Sequence, residues 1–374
     1  MADTPFGFPT VTKDEWLEQV LKERNGKDVE ALDWQISEDI RLSPFFHRDD
    51  LPEVPRPHVR GGDKLNSFES GILLQVENIE ASNRLALQSL QAGTNSLLFD
   101  CRKLKGDLPF RELLSEIHLD YISTHFLIHA DNVVSESHRL AEMIHDSEAD
   151  IGTITGSICN SRLTDLPRTE PSLRELHKVF PKFRNMWIDG SRLYRGSKYV
   201  KEELTDMIHV TCDIISNFLD AGWTWDEVVD QMKIGVIADH DYFLSIAKFR
   251  ALKELLKCLF DRLGGDTGTL PEIEAYCIGN SNATSENHWL IQMTSASMSA
   301  VIGGVDRIIY GSPFSGGFTA GDSSFVRIGQ NIHQLINYES HLTGVQDPLA
   351  GSYFMENLTT MLADKSWETF RKRL

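Results

Sequence analysis

Between residues 71 and 340, eight short apolar runs alternate with eight longer segments of helical period, and no other feature of the chain constrains its fold as much. The apolar runs fall at 71–76, 96–100, 121–129, 151–155, 184–189, 234–239, 274–279 and 305–310. Each is followed by a segment whose apolar residues recur at three- and four-residue intervals, at 78–91, 109–117, 132–145, 172–180, 197–221, 241–263, 287–302 and 323–340. Short apolar runs read as strands buried on both faces, and the segments between them as the helical crossovers that parallel strands need. Eight such units predict an α/β fold, a closed (β/α)8 TIM barrel. A doubly wound open sheet ranks second. It would place a Gly-rich phosphate turn after the first strand, where this chain has Glu77-Asn78-Ile79.

The barrel domain is expected to occupy residues 66–374, with a further helix at 355–374 ending the chain. Residues 1–65 read as an N-terminal arm, with one amphipathic helix at 13–24 and then the stretch SPFFHRDDLPEVPRPHVRGG, whose proline spacing forbids a regular element. The adjacent Phe45 and Phe46 suggest that the arm lies against another surface, a partner subunit being one candidate.

A formal charge of −18 excludes the usual nucleic-acid binders, because phosphate backbones repel an acidic surface. No apolar run approaches the roughly 20 residues that span a bilayer. The opening MADTPFGFPTVTKDEW has neither a basic nor an apolar leader region, so the cytoplasm is the expected compartment. Five cysteines, Cys101, Cys159, Cys212, Cys258 and Cys277, stand without a CxxC pair and are expected to be reduced. Cys159 and Cys277 fall near strand ends, where a nucleophile can sit; without a His or Asn partner, core packing is the better reading.

Barrel enzymes work at the C-terminal ends of their strands. The candidates there are Gln75, Asp100, His129, Thr155, Asp189, Ser191, Arg192, Tyr194, Asp239, His240, Asn280, Ser281 and Asn282. In Asp239-His240-Asp241 an imidazole flanked by carboxylates could serve as base or ligand, although capping of the next helix is the commoner use of such residues. Arg192, Arg195 and Lys198 could hold a phosphate or carboxylate or form a solvated rim, and Arg56, Arg60 and Lys64 in the arm share that ambiguity. No HxH or HExxH spacing is present, so no metal site is expected.

Later segments are more specific. NHWLIQMTSASMSAVIGGVDRIIYGSPF (287–314) resembles the methylmalonyl-CoA mutase pattern of a small-residue helix ending in GG-D before the last strand. RIGQNIHQLINYESHLTGVQDPLAGSYFMENLT (327–359) resembles that family's R-I-x-x-N-x-Q…E-E-S-H-L…D-P-x-G-G-S-Y-x-x-E-x-L-T signature. DYFLSIAKFRALK (241–253) is similar to its F-F-x-x-I-A-K-x-R-A-x-R helix, and the N-terminal FPTVTKDEW…LSPFF order is similar to the opening of the small subunit. In active members, the resemblance implies a barrel that encloses a CoA ester and faces a cobalamin carried by a second domain.

The departures from that pattern point one way. Where catalytic subunits carry S-G-Y-H-M-Q-E-A-G, this chain has DGSRLYRGS, so the Tyr-His pair falls on Ser191 and Arg192 or, with a gap, on Leu193 and Tyr194. The histidine that assists acyl migration has no counterpart. CIGNSNATSENHW stands in place of R-x-H-x-Q-T-S-G-W-S-L-T, and VRGGDKLNSFESGILLQ lacks the R-P-W and T-M-Y elements. No D-x-H-x-x-G occurs, and the chain stops where the linker to a cobalamin-binding domain would begin, so no such domain is expected in it.

The resemblance therefore implies a small-subunit-type barrel that is non-catalytic and supports a cobalamin-dependent catalytic large subunit; a homodimer is the other assembly considered. No catalytic residue and no cofactor is expected on this chain, with adenosylcobalamin belonging to the complex. The alternative is an acyl-CoA isomerase of altered specificity that uses a separately encoded cobalamin-binding chain, with Arg192, Tyr194, Asn280, Ser281 and Gln75 as the candidate contacts to a CoA ester. Bulky side chains filling the barrel centre would favour the scaffold.

Overall fold

The computed structural model describes residues 11–51, 67–129, 132–146, 149–159, 166–265, 268–278, 285–311, 317–319 and 323–374. Helix α1 (Lys13–Glu23) opens with a capping box, in which the Thr12 hydroxyl accepts from the Glu15 N–H while the Glu15 carboxylate accepts from the Thr12 N–H at 2.8 Å. Next, ahead of the proline-spaced stretch, comes an element that the reading of the arm did not include, an antiparallel hairpin of β1 (Trp34–Ser37) and β2 (Ile40–Leu42).

Eight parallel strands then form the barrel: β3 (Glu69–Gln75), β4 (Ser96–Asp100), β5 (Ser123–Leu127), β6 (Thr155–Cys159), β7 (Met186–Asp189), β8 (Met232–Ala238), β9 (Glu272–Cys277) and β10 (Arg307–Tyr310). They are surrounded by α2 (Ile79–Gln91), α3 (Phe110–Leu113), α4 (Val133–His145), α5 (Leu166–Val179), α6 (Val200–Asp220), α7 (Trp225–Gln231), α8 (Tyr242–Leu263), α9 (Glu286–Ile302), α10 (Ser323–Tyr338) and α11 (Tyr353–Arg373). The strand order is β6-β5-β4-β3-β10-β9-β8-β7, so the last strand pairs with the first. The remaining seam, between β6 and β7, is narrow. Gly156 bridges to Phe183, the Arg184 N–H donates to the Gly156 carbonyl at 2.9 Å, and the Asn185 side chain accepts from the Ile158 N–H at 2.9 Å. The (β/α)8 architecture expected from the alternation is the one observed.

One boundary is displaced. The fourth strand, expected at 151–155, begins at Thr155, because Asp150 gathers the Gly152 and Thr153 amides into a turn. Gly156 lies inside the strand rather than ending it: a Cβ there would stand 1.9 Å from the Thr124 carbonyl oxygen.

The closing helix, α11, packs across α8 and α6. The hairpin docks on the same side: Ile36, Ile40 and Leu42 are buried, Asp39 pairs with Lys201 at 2.8 Å, and the Phe46 ring meets Phe354 edge-on. Phe45 lies against Trp16 of α1, with ring centroids 4.3 Å apart.

Alternate strand residues point to the barrel axis, and here they fill it. Leu73, Leu98, Leu127, Cys159, Trp187, Ile237, Tyr276 and Ile309 form one fully buried cluster. The Trp187 indole donates to the Tyr276 hydroxyl at 3.0 Å, and that hydroxyl donates to Glu274. Gly235 makes this possible, since a Cβ there would sit 2.3 Å from the Tyr276 ring. Towards the strand N-termini the interior becomes ionic. Buried Arg307 pairs with Glu69 at 2.7 Å, Glu272 at 2.5 Å and Glu274 at 3.1 Å, and buried Lys233 lies 3.5 Å from Glu274.

Removing one partner of a buried ion pair leaves an uncompensated charge. Arg307→Met should therefore lower unfolding free energy by about 3–5 kcal/mol in urea titration, and a loss under about 1 kcal/mol would show that the network is dispensable. A second stability term is pH-dependent. His333 on α10 is buried against Tyr310, ring centroids 4.3 Å apart, and burial pushes its imidazole down to about 3 from the ordinary 6.5. The unfolded chain takes up this proton first, so the stability due to the neutral ring is complete above pH 6.5 and is lost as pH falls toward 3. Its slope is at most about 1.4 kcal/mol per pH unit, and His333→Gln should flatten that acid limb in urea titrations at successive pH values.

Candidate functional site

The C-terminal mouth of the barrel is where the sequence candidates converge. Three acidic residues end their strands there: Asp100 on β4, Asp189 on β7 and Asp239 just past β8. Each is engaged within the chain. The Asp100 carboxylate holds Arg102 through two hydrogen bonds of 2.7 and 2.6 Å. Asp189 accepts from the Ser191 hydroxyl and lies 3.3 Å from the Arg192 guanidinium; its burial outweighs these contacts and raises its carboxyl above the usual range.

Asp239 is the centre of the third cluster. It accepts from the Tyr194 hydroxyl, from Ser197 at 2.7 Å and from the His240 N–H at 2.6 Å, while the His240 ring lies against it. Burial opposes the Asp239 charge, but the Tyr194 and Ser197 hydrogen bonds and His240 together hold its carboxyl below the ordinary value. Burial and the Asp239 hydrogen bond likewise push the Tyr194 phenol up, and the Lys248 ammonium sits 5.3 Å from that ring. Asp241, not its neighbours, takes the cap position of α8.

Of the CoA-contact candidates, Arg192 and Tyr194 are brought to one side of the mouth, each tied to its own carboxylate. Gln75 ends β3 across from Asp100, and its backbone N–H is taken by Phe318 at 2.9 Å. Asn280, Ser281 and Asn282 lie outside the described residues, as do Arg56, Arg60 and Lys64. Arg195 pairs with Asp206 at 3.5 Å, and Lys198 lies over the Tyr199 ring. Cys159 and Cys277 are buried, and burial raises both thiols, that of Cys277 to about 12. They are core residues. Among the described residues no cluster of His, Cys, Asp and Glu could hold a metal ion, and no helix is long and apolar enough to cross a membrane.

Sequence reasoning missed the residues that close the axis: Trp187, Lys233, Glu274, Tyr276 and Arg307. A signal was available, since charged residues inside otherwise apolar parallel strands, as in MKIGVIA and EIEAYC, must pair within the barrel or not fold there.

A family described as methylmalonyl-CoA mutase matches residues 109–372. The chain belongs to the methylmalonyl-CoA mutase family. It is 23% identical to the methylmalonyl-CoA mutase small subunit of Porphyromonas gingivalis, over 97% of this chain and 63% of that protein. It is 26% identical to a probable methylmalonyl-CoA mutase small subunit of Mycobacterium bovis, over 91% of this chain and 59% of the relative. To the mitochondrial methylmalonyl-CoA mutase of Bos taurus the figures are 24%, 94% and 53%. The chain thus spans about three fifths of the length of these relatives.

The segments that carry this family resemblance meet on α8. Arg250, buried, donates to Asp347 at 2.5 Å and to Glu356 at 3.0 Å, joining the I-A-K-x-R helix to both acids of the D-P…E segment. Lys253 donates to the Gly303 carbonyl at 2.9 Å and to that of Gly304, the GG that ends α9. Lys248 pairs with buried Glu203 at 3.1 Å. These residues hold the barrel's outer layer together, and Lys248 also reaches the Tyr194 ring at the mouth. Arg250→Met should accordingly destabilise the chain by about 3–5 kcal/mol in denaturant titration, as expected when a buried cation is removed from two carboxylates; a stability within about 0.5 kcal/mol of the parent would contradict the role.

Proposed function

We propose that this chain is a non-catalytic, small-subunit-type barrel that supports a cobalamin-dependent catalytic subunit interconverting methylmalonyl-CoA and succinyl-CoA. The reading is carried by the filled axis. A CoA ester entering the barrel would have to displace Trp187 and Tyr276, which are buried and hydrogen-bonded to each other, and then break into the Glu274–Arg307–Lys233 pairs. Opening such pairs costs several kcal/mol before any contact to the ligand is made. The three mouth carboxylates add no complement to the phosphates of CoA, and the two arginines beside them, Arg102 and Arg192, are already paired.

The relatives named small subunits support the same reading. In it, residues 1–65 form the arm that meets the partner and residues 66–374 form an acyl-CoA-mutase-type barrel. In this reading the cobalamin that faces the barrel in active members is carried by another chain. Adenosylcobalamin is assigned to the catalytic partner, and no catalytic step is assigned to this chain. Five free cysteines suit a reducing compartment, the cytoplasm.

Isothermal titration of the whole chain with methylmalonyl-CoA and with free CoA tests this directly. No saturable heat is expected with either ligand up to about 1 mM, where even a weak site of −4 kcal/mol would register. Saturable binding would overturn the scaffold reading and favour the isomerase of altered specificity, with Arg192, Tyr194 and Gln75 the first residues to replace.

A further inference from the structure

One wall of the barrel axis is polar without being fully paired. Strand alternation from the axial cluster turns Gly71, Ser96, His125 and Ser157 inward, one layer nearer the strand N-termini, on β3 to β6. The stem of Arg307 covers Gly71, where a Cβ would stand 3.5 Å from its Cδ. The next three strands bring little bulk, since Ser96 and Ser157 carry hydroxymethyl side chains on either side of His125. All three residues are buried. Ser157 meets His125 Nδ1 at 2.8 Å, whereas the Ser96 hydroxyl and His125 Nε2 have no hydrogen-bond partner among the described residues. Ser96 and His125 are diagonal neighbours on one face, because Ser96 pairs with Ser123 and Leu98 with His125.

A buried polar atom left unpaired costs about 1–3 kcal/mol. Such atoms are met by ordered water where the space is polar and about three partners converge. The third partner comes from across the axis. Burial keeps the His125 ring neutral, helped by Arg307 and Lys233, so both cations lie near it. The Lys233 ammonium has three hydrogens to give, with Glu274 at 3.5 Å and the Trp187 ring at 5.7 Å. An ion is a poor occupant here. Arg184, Lys233 and Arg307 already balance Glu69, Glu272 and Glu274, and one more charge would be buried unpaired. We propose that the axis beneath the Trp187–Tyr276 layer holds an internal water site, bounded by His125 Nε2 and the Ser96 hydroxyl on one wall and by the Lys233 ammonium opposite. A neutral imidazole gives or takes a hydrogen at Nε2 according to its tautomer, and water answers either. The barrel is thus sealed by aromatic rings above and hydrated below, and the site does not rest on the non-catalytic reading.

A crystal structure of the full chain that orders interior waters tests the proposal. A water oxygen should stand about 2.7–3.2 Å from both His125 Nε2 and Ser96 Oγ. Deuterium relaxation dispersion, which counts waters held inside a protein in solution, supplies a second readout. Ser96→Val puts methyl groups where the water sits and should lose a single long-lived water relative to the parent, with unchanged circular dichroism showing that the variant is folded. If it fails to fold, His125→Phe on the neighbouring strand makes the same comparison. A dry axis would overturn the proposal, as would a His125 ring turned so that Nε2 meets a protein group. So would an ion at the site, recognised by anomalous scattering after bromide exchange, or a folded variant that keeps the parent's count of long-lived waters.

Discussion

Arg307 is the residue around which the interior of this barrel is organised. From β10 it reaches carboxylates on β3 and β9, so one guanidinium links the first strand, the last and the one before it. Glu274 passes the interaction to Lys233 on β8 and, through the Tyr276 hydroxyl, to Trp187 on β7. Five of the eight strands are thereby joined across the axis by charge and hydrogen bonds. Ions buried at this depth are tolerated only when paired, and the pairing in turn fixes which strands can be neighbours. The network also determines what the barrel can contain, because the side chains that complete it occupy the space a ligand would need.

The family resemblance and the closed centre are consistent because they concern different residues. The recognisable segments converge on Arg250, Lys253 and Lys248, which fasten α8 to α6, α9 and the segment leading into α11. Substitution there leaves a buried charge alone, so these positions are held by architecture whether or not the barrel does chemistry. The strand-end loops bear no such load. In this chain they carry DGSRLYRGS and CIGNSNATSENHW, and the described polar groups of the first turn inward to Asp189 and Asp239. A fold of this kind keeps its shape while the residues at its mouth change.

The candidate site was legible in position but not in content. Placing candidates at strand C-termini correctly brought Asp189, Arg192, Tyr194 and Asp239 to one rim, because the polarity of a β/α unit follows from chain order. That Tyr194 would be spent on Asp239 is a contact between residues 45 positions apart and has no local signature. The hairpin at Trp34–Ser37 and Ile40–Leu42 escaped for a related reason: it is stabilised by burial against the barrel's outer helices. Helix α7 could have been read, since Thr224 and Glu227 form a capping box that depends on local spacing alone.

By itself the sequence determined the number of units, their order, the parallel direction of the strands and the family. These follow from apolar periodicity and from short segments in which the physics is local. Only the tertiary structure decided that the centre is closed, that the charges of α8 are fasteners, and that Asp100, Asp189 and Asp239 at the mouth are already engaged. Such outcomes depend on which side chains meet across strands far apart in the chain, and neither the residue types nor their periodicity specifies those meetings.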